Sequence, residues 1–152
     1  MEEGQTAPDF RLELAGGGFR TLDELLAEGP VLLAFYKVTC PTCQLTLPYL
    51  ERLQGGTIRV FAVCQDSAER AREFADAFEV DLPNLLDSVD EGHPASNAYG
   101  VTHVPSMYVV ERDKRISWEY VGFHKKKLEQ LAERAGRVIF SAVDKVPESK
   151  SG

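Results

Sequence analysis

The sequence predicts an α/β fold with a central mixed β-sheet and flanking helices. Two nearly all-apolar runs, 30–36 (PVLLAFY) and 57–64 (TIRVFAVC), have the composition of strands that are buried on both faces. Helical patterns follow each run, and this strand–helix–strand order indicates a parallel sheet core. Further along, 105–110 (PSMYVV) and 115–122 (RISWEYVG) flank the polar turn ERDK, which indicates an antiparallel hairpin at one edge of the sheet.

The helices are marked by their capping residues and by prolines. Thr21 and Ser67 are typical N-cap residues at the start of helical patterns. Pro41 fits the first position of the helix after the first buried strand, and Pro48 is expected to kink that helix because it removes a backbone hydrogen bond. The last helix is predicted to continue through Gly136, which weakens it, because the apolar spacing persists beyond this residue.

Length and charge limit the classes of function. The chain has 152 residues and a formal net charge of −7, from 24 acidic and 17 basic side chains. Phosphates are repelled by such a surface, which argues against nonspecific binding to nucleic acid or anionic lipid. We expect a single domain over residues 1–143 and a disordered tail over 144–152, because DKVPESKSG is polar and carries Pro, Ser and Gly.

The cellular compartment is predicted from three features of the sequence. No run approaches the roughly 20 apolar residues that a membrane span requires. The segment 1–10 is acidic and lacks the apolar region of a secretory signal. Three cysteines, an odd number, do not fit a disulfide-stapled secreted fold. We therefore predict a cytoplasmic protein, while a removed leader or a periplasmic location stays open.

Cys40 and Cys43 lie where the first buried strand passes into its helix, with Pro41 and Thr42 between them. Reactive groups of open α/β sheets gather at this carboxyl end of the strands. The helix N-terminus favours an anion at Cys40, so Cys40 is the predicted attacking thiol. Cys43 follows at a separation compatible with a disulfide and is the predicted resolving thiol, which breaks the mixed disulfide.

Other uses of a cysteine pair fit the sequence less well. A structural zinc site needs four ligands, whereas only Cys64 and three scattered histidines remain. A static disulfide between Cys40 and Cys43 closes a very small loop and stabilises little. Cys64 ends an apolar strand and is expected to be a buried, inert thiol. We therefore predict no bound metal and no cofactor.

Three segments resemble the thioredoxin superfamily, and within it the redoxin branch that includes TlpA-like oxidoreductases. The segment 34–50 (AFYKVTCPTCQLTLPYL) resembles the family's strand, CxxC motif and proline-kinked helix. The segment 99–116 (YGVTHVPSMYVVERDKRI) resembles the part of the family that carries a cis-proline. The segment 5–26 (QTAPDFRLELAGGGFRTLDELL) resembles the N-terminal extension of redoxins. The resemblance implies a thioredoxin-like fold with a redoxin-type extension.

The resemblance also implies roles for several residues. Pro105 is expected to be cis and to lie against the cysteine pair. A proline there cannot donate to a neighbouring strand, which leaves the backbone N–H and C=O of Val104 for an extended substrate chain. Pro41 and Thr42 complete the expected substrate-binding set. His103 stands beside the sulfurs, where the family commonly has a small residue, and we hypothesise that it tunes the reactive thiolate or substrate access.

Some positions depart from the family's pattern. Ala34 stands where thioredoxins carry a buried aspartate that assists the resolving cysteine, so its proton has to pass to water or to another side chain. Thr39 replaces the tryptophan that usually precedes the first cysteine. Lys37 is an unusual charge beside the site, which either favours the thiolate or extends into solvent.

The predicted activity is thiol–disulfide exchange through the CPTC motif, reducing disulfides of proteins or of small molecules. A further electron donor or acceptor is expected as a partner. One rival function is a peroxiredoxin-like thiol peroxidase, which shares the strings APDF and CPT. In that family the peroxidatic cysteine follows a threonine by three positions. Here the residue three positions before Cys43 is Cys40, and the residue three positions before Cys40 is Lys37, so neither is threonine. A second rival is a non-catalytic copper- or metal-binding module that uses Cys40, Cys43 and His103.

Overall fold

The computed structural model describes residues 1–152. Its strands and helices follow in the order β1 (Arg11–Leu14), β2 (Phe19–Thr21), α1 (Leu22–Leu26), β3 (Val31–Tyr36), α2 (Pro41–Glu51), β4 (Arg59–Cys64), α3 (Ala68–Phe78), β5 (Asn84–Leu86), α4 (Pro94–Ala98), β6 (Ser106–Val110), β7 (Ile116–Val121), β8 (Phe123–His124), α5 (Lys125–Ala135) and β9 (Ser149–Lys150). A short 3-10 helix, Val89–Glu91, precedes α4. None of these helices has the length and apolar character needed to cross a bilayer.

Seven strands form one sheet in the order β2-β1-β5-β4-β3-β6-β7. The pairs β3–β4 and β4–β5 are parallel, whereas the other neighbouring pairs are antiparallel. The predicted hairpin is β6–β7 at one edge, and the N-terminal hairpin β1–β2 forms the other edge. The predicted α/β fold with a mixed central sheet and flanking helices is therefore confirmed.

β3 divides the core between the two faces of the sheet. Its residues alternate between two apolar clusters because side chains of a strand point to opposite faces in turn. Leu32, Ala34 and Tyr36 belong to the cluster under α2, α3 and α5, and Val31, Leu33 and Phe35 to the cluster under α1 and α4. All six are fully buried, as the unbroken apolar run predicts. This central strand carries the cysteine motif at its carboxyl end.

The predicted capping residues are confirmed. The Thr21 hydroxyl accepts a hydrogen bond from the backbone N–H of Glu24, and the Glu24 side chain accepts one from the N–H of Thr21, which completes a capping box. Ser67 caps α3 by accepting from the N–H of Arg70. Pro41 is the first residue of α2, and Pro48 lies within that helix.

The structure differs from the sequence-based expectation near the C-terminus. α5 ends at Ala135, because Gly136 adopts a left-handed conformation with φ of 71° and closes the helix. The segment 144–152, expected to be disordered, contains strand β9, which pairs with β8. The local polarity of this segment concealed the contacts with distant residues that hold it.

Candidate active site

Cys40 is the N-cap residue of α2. Its backbone is extended, and the next residue, Pro41, begins the helix. The backbone N–H of Cys43 donates a hydrogen bond to the Cys40 sulfur over 3.1 Å. The sulfur therefore takes the place of a capping acceptor, where the helix N–H groups and dipole stabilise negative charge. A nucleophilic thiolate requires this kind of environment.

Cys43 lies in the first turn of α2 and is fully buried, whereas Cys40 is only half-buried. Burial raises the pKa of the Cys43 thiol, and its hydrogen bond to Cys40 raises that pKa further. Cys43 is therefore a protonated thiol at neutral pH. The two cysteines thus have the different environments that attacking and resolving thiols require.

Cys64 lies in the same apolar cluster as Cys43, and burial raises the pKa of its thiol. The backbone N–H of Asp66 lies 3.4 Å from its sulfur. Ala34 also belongs to this cluster, so this position of β3 brings no carboxylate to Cys43. The burial of Cys64 agrees with the sequence-based expectation, and the departure at Ala34 leaves Cys43 in an apolar environment.

The Val104–Pro105 peptide bond is cis, as the resemblance implies. The Cys40 thiol donates a hydrogen bond to the carbonyl oxygen of Val104 over 3.5 Å. The next residue, Ser106, starts β6 and pairs with Phe35 near the end of β3. The register of two neighbouring strands therefore holds the proline loop against the reactive sulfur.

A groove of about 470 Å³ opens beside Cys40. Lys37, His93 and His103 line it, and no Asp or Glu side chain does. Lys37 thus gives the groove a positive side chain, whereas the whole chain has a net charge of −7. Polar walls and this cation suit a polar or anionic segment of a substrate.

The predicted site residues occupy different places around this groove. Pro41 and Val104 line it together with Cys40, while Thr42 and Pro105 are buried beside it. The Thr42 hydroxyl donates to the backbone carbonyl of Ser151 over 2.6 Å. All of the predicted substrate-binding residues therefore lie within two short stretches that meet at the reactive sulfur.

The two predicted modulators, Lys37 and His103, are both exposed at the groove. Nδ1 of His103 lies 3.1 Å from the hydroxyl oxygen of Thr102 and hydrogen-bonds with it rather than with a cysteine. The backbone carbonyl of Lys37 accepts a hydrogen bond from the N–H of Cys40 over 3.3 Å. The backbone of Lys37 therefore helps to shape the motif, while its side chain contributes charge to the groove.

Sequence reasoning missed one wall of the groove. Gln65 follows β4 and Asp87 follows β5, so both lie at the carboxyl ends of parallel strands. The buried Asp87 carboxylate accepts from the backbone N–H groups of Ala95 and Ser96, each over 2.8 Å. The Gln65 amide donates to the Ser96 hydroxyl over 2.9 Å. These bonds fix the start of α4. In the sequence, Gln65 and Asp87 could have been recognised as polar residues that directly follow an apolar strand.

No group of three or more His, Cys, Asp or Glu side chains is arranged to hold a metal ion. Cys40, Cys43 and His103 therefore do not form a ligand set in this structure.

Comparisons with known proteins point to one family. The model of the AhpC/TSA family matches residues 4–119. Thioredoxin-like protein YneN of Bacillus subtilis (strain 168) is 34% identical over 139 residues, which are 86% of this chain and 78% of that protein. Thiol-disulfide oxidoreductase ResA of Geobacillus thermodenitrificans (strain NG80-2) is 28% identical over 118 residues, 74% of this chain and 66% of that protein.

A solved structure shares both the fold and part of the sequence. A crystal structure described as a thiol:disulfide interchange protein DsbE from Chlorobium tepidum has a TM-score of 0.76 and 25% identity, covering 89% of this chain and 98% of that chain. The matching family, the similar relatives and the paired cysteines at a helix N-terminus agree with one another. The chain belongs to the AhpC/TSA family and is a thioredoxin-like thiol–disulfide oxidoreductase.

Proposed function

We propose that this oxidoreductase reduces disulfides, with Cys40 as the attacking and Cys43 as the resolving thiol. The Cys40 thiolate attacks one sulfur of the substrate disulfide, that S–S bond breaks, and the other sulfur leaves as a thiolate that takes up a proton. Cys43 then loses its proton and attacks the Cys40 sulfur of the mixed disulfide. The second substrate sulfur leaves, and the enzyme retains a Cys40–Cys43 disulfide after two electrons have passed to the substrate.

The observation that carries this proposal is the contrast between the two sulfurs. Cys40 is half-buried beside a groove and accepts the N–H of Cys43 over 3.1 Å, while Cys43 is fully buried with a raised pKa. A substrate sulfur can therefore reach Cys40 and not Cys43. Cys43 reacts only after the mixed disulfide has formed next to it, which is the order that reduction requires.

We propose disulfide-bearing proteins as the main substrates. An extended substrate chain would bind along Val104, whose carbonyl oxygen lies next to the Cys40 sulfur, with Pro105, Pro41 and Thr42 shaping that part of the site. A dithiol protein or a small thiol would restore the reduced enzyme. The cytoplasmic location and the single domain over residues 1–143 stay predictions from the sequence.

Insulin reduction with dithiothreitol as the electron donor tests the proposed direction of electron flow. We expect the enzyme to accelerate insulin reduction and the Cys40–Cys43 couple to equilibrate at the reducing end of a glutathione series. A strongly oxidising potential together with rapid oxidation of a reduced substrate protein would instead assign disulfide delivery.

The family match makes the thiol peroxidase the alternative to exclude. Its signature would be rapid consumption of hydrogen peroxide, with a sulfenic acid detected on Cys40 or Cys43. We expect peroxide consumption to stay near the rate of a free thiol, because the threonine of the peroxidase motif is absent from the position three residues before either cysteine.

The resolving step should accelerate with pH. The pKa of Cys43 is raised above its ordinary value, and only the thiolate attacks, so below that pKa the rate rises about tenfold per pH unit. The measurement is stopped-flow reaction of the reduced enzyme with Ellman's reagent, in which the second release of thionitrobenzoate reports attack by Cys43. A second phase that does not change between pH 6 and pH 9 would show that a base accepts the Cys43 proton, contrary to this prediction.

The variant His103→Ala is the matched control for the pH dependence of the resolving step. The same variant tests whether His103 modulates the site. The same slope in wild type and variant is expected if water accepts the proton, since His103 contacts Thr102 and not a cysteine. We propose that His103 and Lys37 influence substrate access at the groove. If His103→Ala leaves both the alkylation rate of Cys40 and insulin turnover unchanged, that role of His103 is excluded.

A further inference from the structure

The C-terminal segment 148–152, which we call the strap, runs along β8 and reaches the active-site groove at Gly152. Lys150 pairs with Phe123 in the two-stranded sheet of β8 and β9, and the N–H of Lys125 donates to the carbonyl of Glu148 over 2.9 Å. Beyond β9 the chain continues in the direction of Cys40. Gly152 lines the groove together with Cys40 and Val104.

Two contacts place the end of the strap between the cysteine motif and the proline loop. The Thr42 hydroxyl donates to the Ser151 carbonyl over 2.6 Å, although these residues are distant in sequence. The backbone of Gly152 passes so close to Val104 that a Cβ atom at Gly152 would lie 2.5 Å from the Val104 carbonyl oxygen. The strap therefore occupies space that a polypeptide needs if it is to bind along Val104.

We propose that the strap is an intramolecular ligand of the substrate groove and that a polypeptide substrate must displace it before its disulfide reaches Cys40. The polypeptide substrate in this inference rests on the proposed reductase function. The position of the strap at the groove is independent of that function. The Ser151 carbonyl already accepts from the Thr42 hydroxyl, which is the donor that the proposed substrate chain would otherwise use. Strap and substrate then exclude each other because they use the same hydroxyl and the same side of Val104.

The segment that precedes the strap is anchored to the rest of the fold. At its base Arg52 Nη1 lies 2.8 Å from the Asp144 carboxylate, and the hydrogen bond to Arg52 lowers the pKa of Asp144 to about 2. This ion pair is therefore present throughout the neutral range, and Val146 adds a half-buried apolar contact. Residues 148–152 are exposed, so few contacts oppose their release. The Arg52–Asp144 ion pair and the Val146 contact keep the released residues close to the groove.

Removal of residues 148–152 tests the proposal through access to Cys40. Compared with the full chain, the deletion should accelerate alkylation of Cys40 and raise kcat/KM for insulin by roughly three- to tenfold, because a site that is blocked for part of the time loses apparent affinity in proportion. The gain should be smaller for a small disulfide such as cystine, which needs little of the groove. Lys150→Pro, which cannot donate a backbone hydrogen bond within β9, should act in the same direction.

Ser151→Ala is the matched control, because it removes a side chain and keeps the carbonyl that accepts from Thr42. In this variant the alkylation rate of Cys40 and kcat/KM for insulin should equal those of the full chain. Gly152→Ala places a Cβ against the Val104 carbonyl, so both quantities should rise as they do in the deletion. Unchanged alkylation in both the deletion and Lys150→Pro would overturn the proposal, as would a fall in kcat/KM for insulin. If the deletion accelerates alkylation of Cys40 but no variant reduces insulin, the reductase function is refuted and the proposal that the strap blocks the groove is supported.

Discussion

Replacing Cys40 with serine should abolish insulin reduction, lowering turnover by more than about a thousandfold, to the rate of the free reductant. A serine hydroxyl at the N-cap still accepts the N–H of Cys43, so the helix start is preserved while the nucleophile is lost. Cys43 cannot take over the attack, because it is fully buried with a raised pKa. Insulin turbidity with dithiothreitol, together with the melting temperature of the variant, separates lost chemistry from lost folding.

Cys43→Ser is the complementary variant. Cys40 should still attack, but the mixed disulfide with the substrate should persist because no neighbouring thiol resolves it. Mass spectrometry of the trapped species should locate the substrate on Cys40. Retention of wild-type turnover by Cys40→Ser, or trapping on Cys64, would contradict the assigned roles.

Replacing Asp87 with alanine should lower the free energy of unfolding by about 2–4 kcal/mol, the cost of leaving buried donors without an acceptor. The carboxylate accepts from the N–H groups of Ala95 and Ser96, each over 2.8 Å, and from the Ser96 hydroxyl. Its loss should loosen α4, and with it the groove wall that Ser96 and Gln65 form. Chemical denaturation gives the free energy, and the KM for insulin should rise in the variant.

Asp87→Asn is the matched control for that change. The amide keeps the size of the side chain and one acceptor oxygen, so the loss should be smaller than in Asp87→Ala. A loss below about 1 kcal/mol in Asp87→Ala would show that water or a rearranged α4 satisfies the donors, and that Asp87 does not hold this wall.

The sequence predicts the parts of the fold that depend on local pattern. The run 30–36 reads as a doubly buried strand because every residue of β3 faces one of two cores. Thr21 and Ser67 are recognisable because an N-cap satisfies backbone donors within its own turn. The spacing of Cys40 and Cys43 likewise locates the reactive pair, since both lie on one helical turn.

The parts that sequence could not supply depend on distant partners. Gly136 ends α5 although the apolar spacing continues past it, and only its left-handed backbone shows where the helix stops. The strap is polar and carries no apolar pattern, yet Thr42 and the β8 backbone hold it in place. Gln65 lines the groove, and Asp87 holds Ser96 of the same wall from behind, only because two parallel strands end side by side. Local composition does not reveal these contacts, because each joins residues that are far apart in the sequence.

The antiparallel pairing of β3 with β6 has an evolutionary consequence. Phe35 and Ser106 are partners in this ladder, so the hydrogen bonds of the sheet, and not the intervening chain, set the spacing between the sulfur and the proline loop. The segments between the end of α2 and the start of β6 can therefore change in length and composition without changing this strand register. The groove walls that these segments supply can thus diversify while the sulfur and the proline loop keep their spacing.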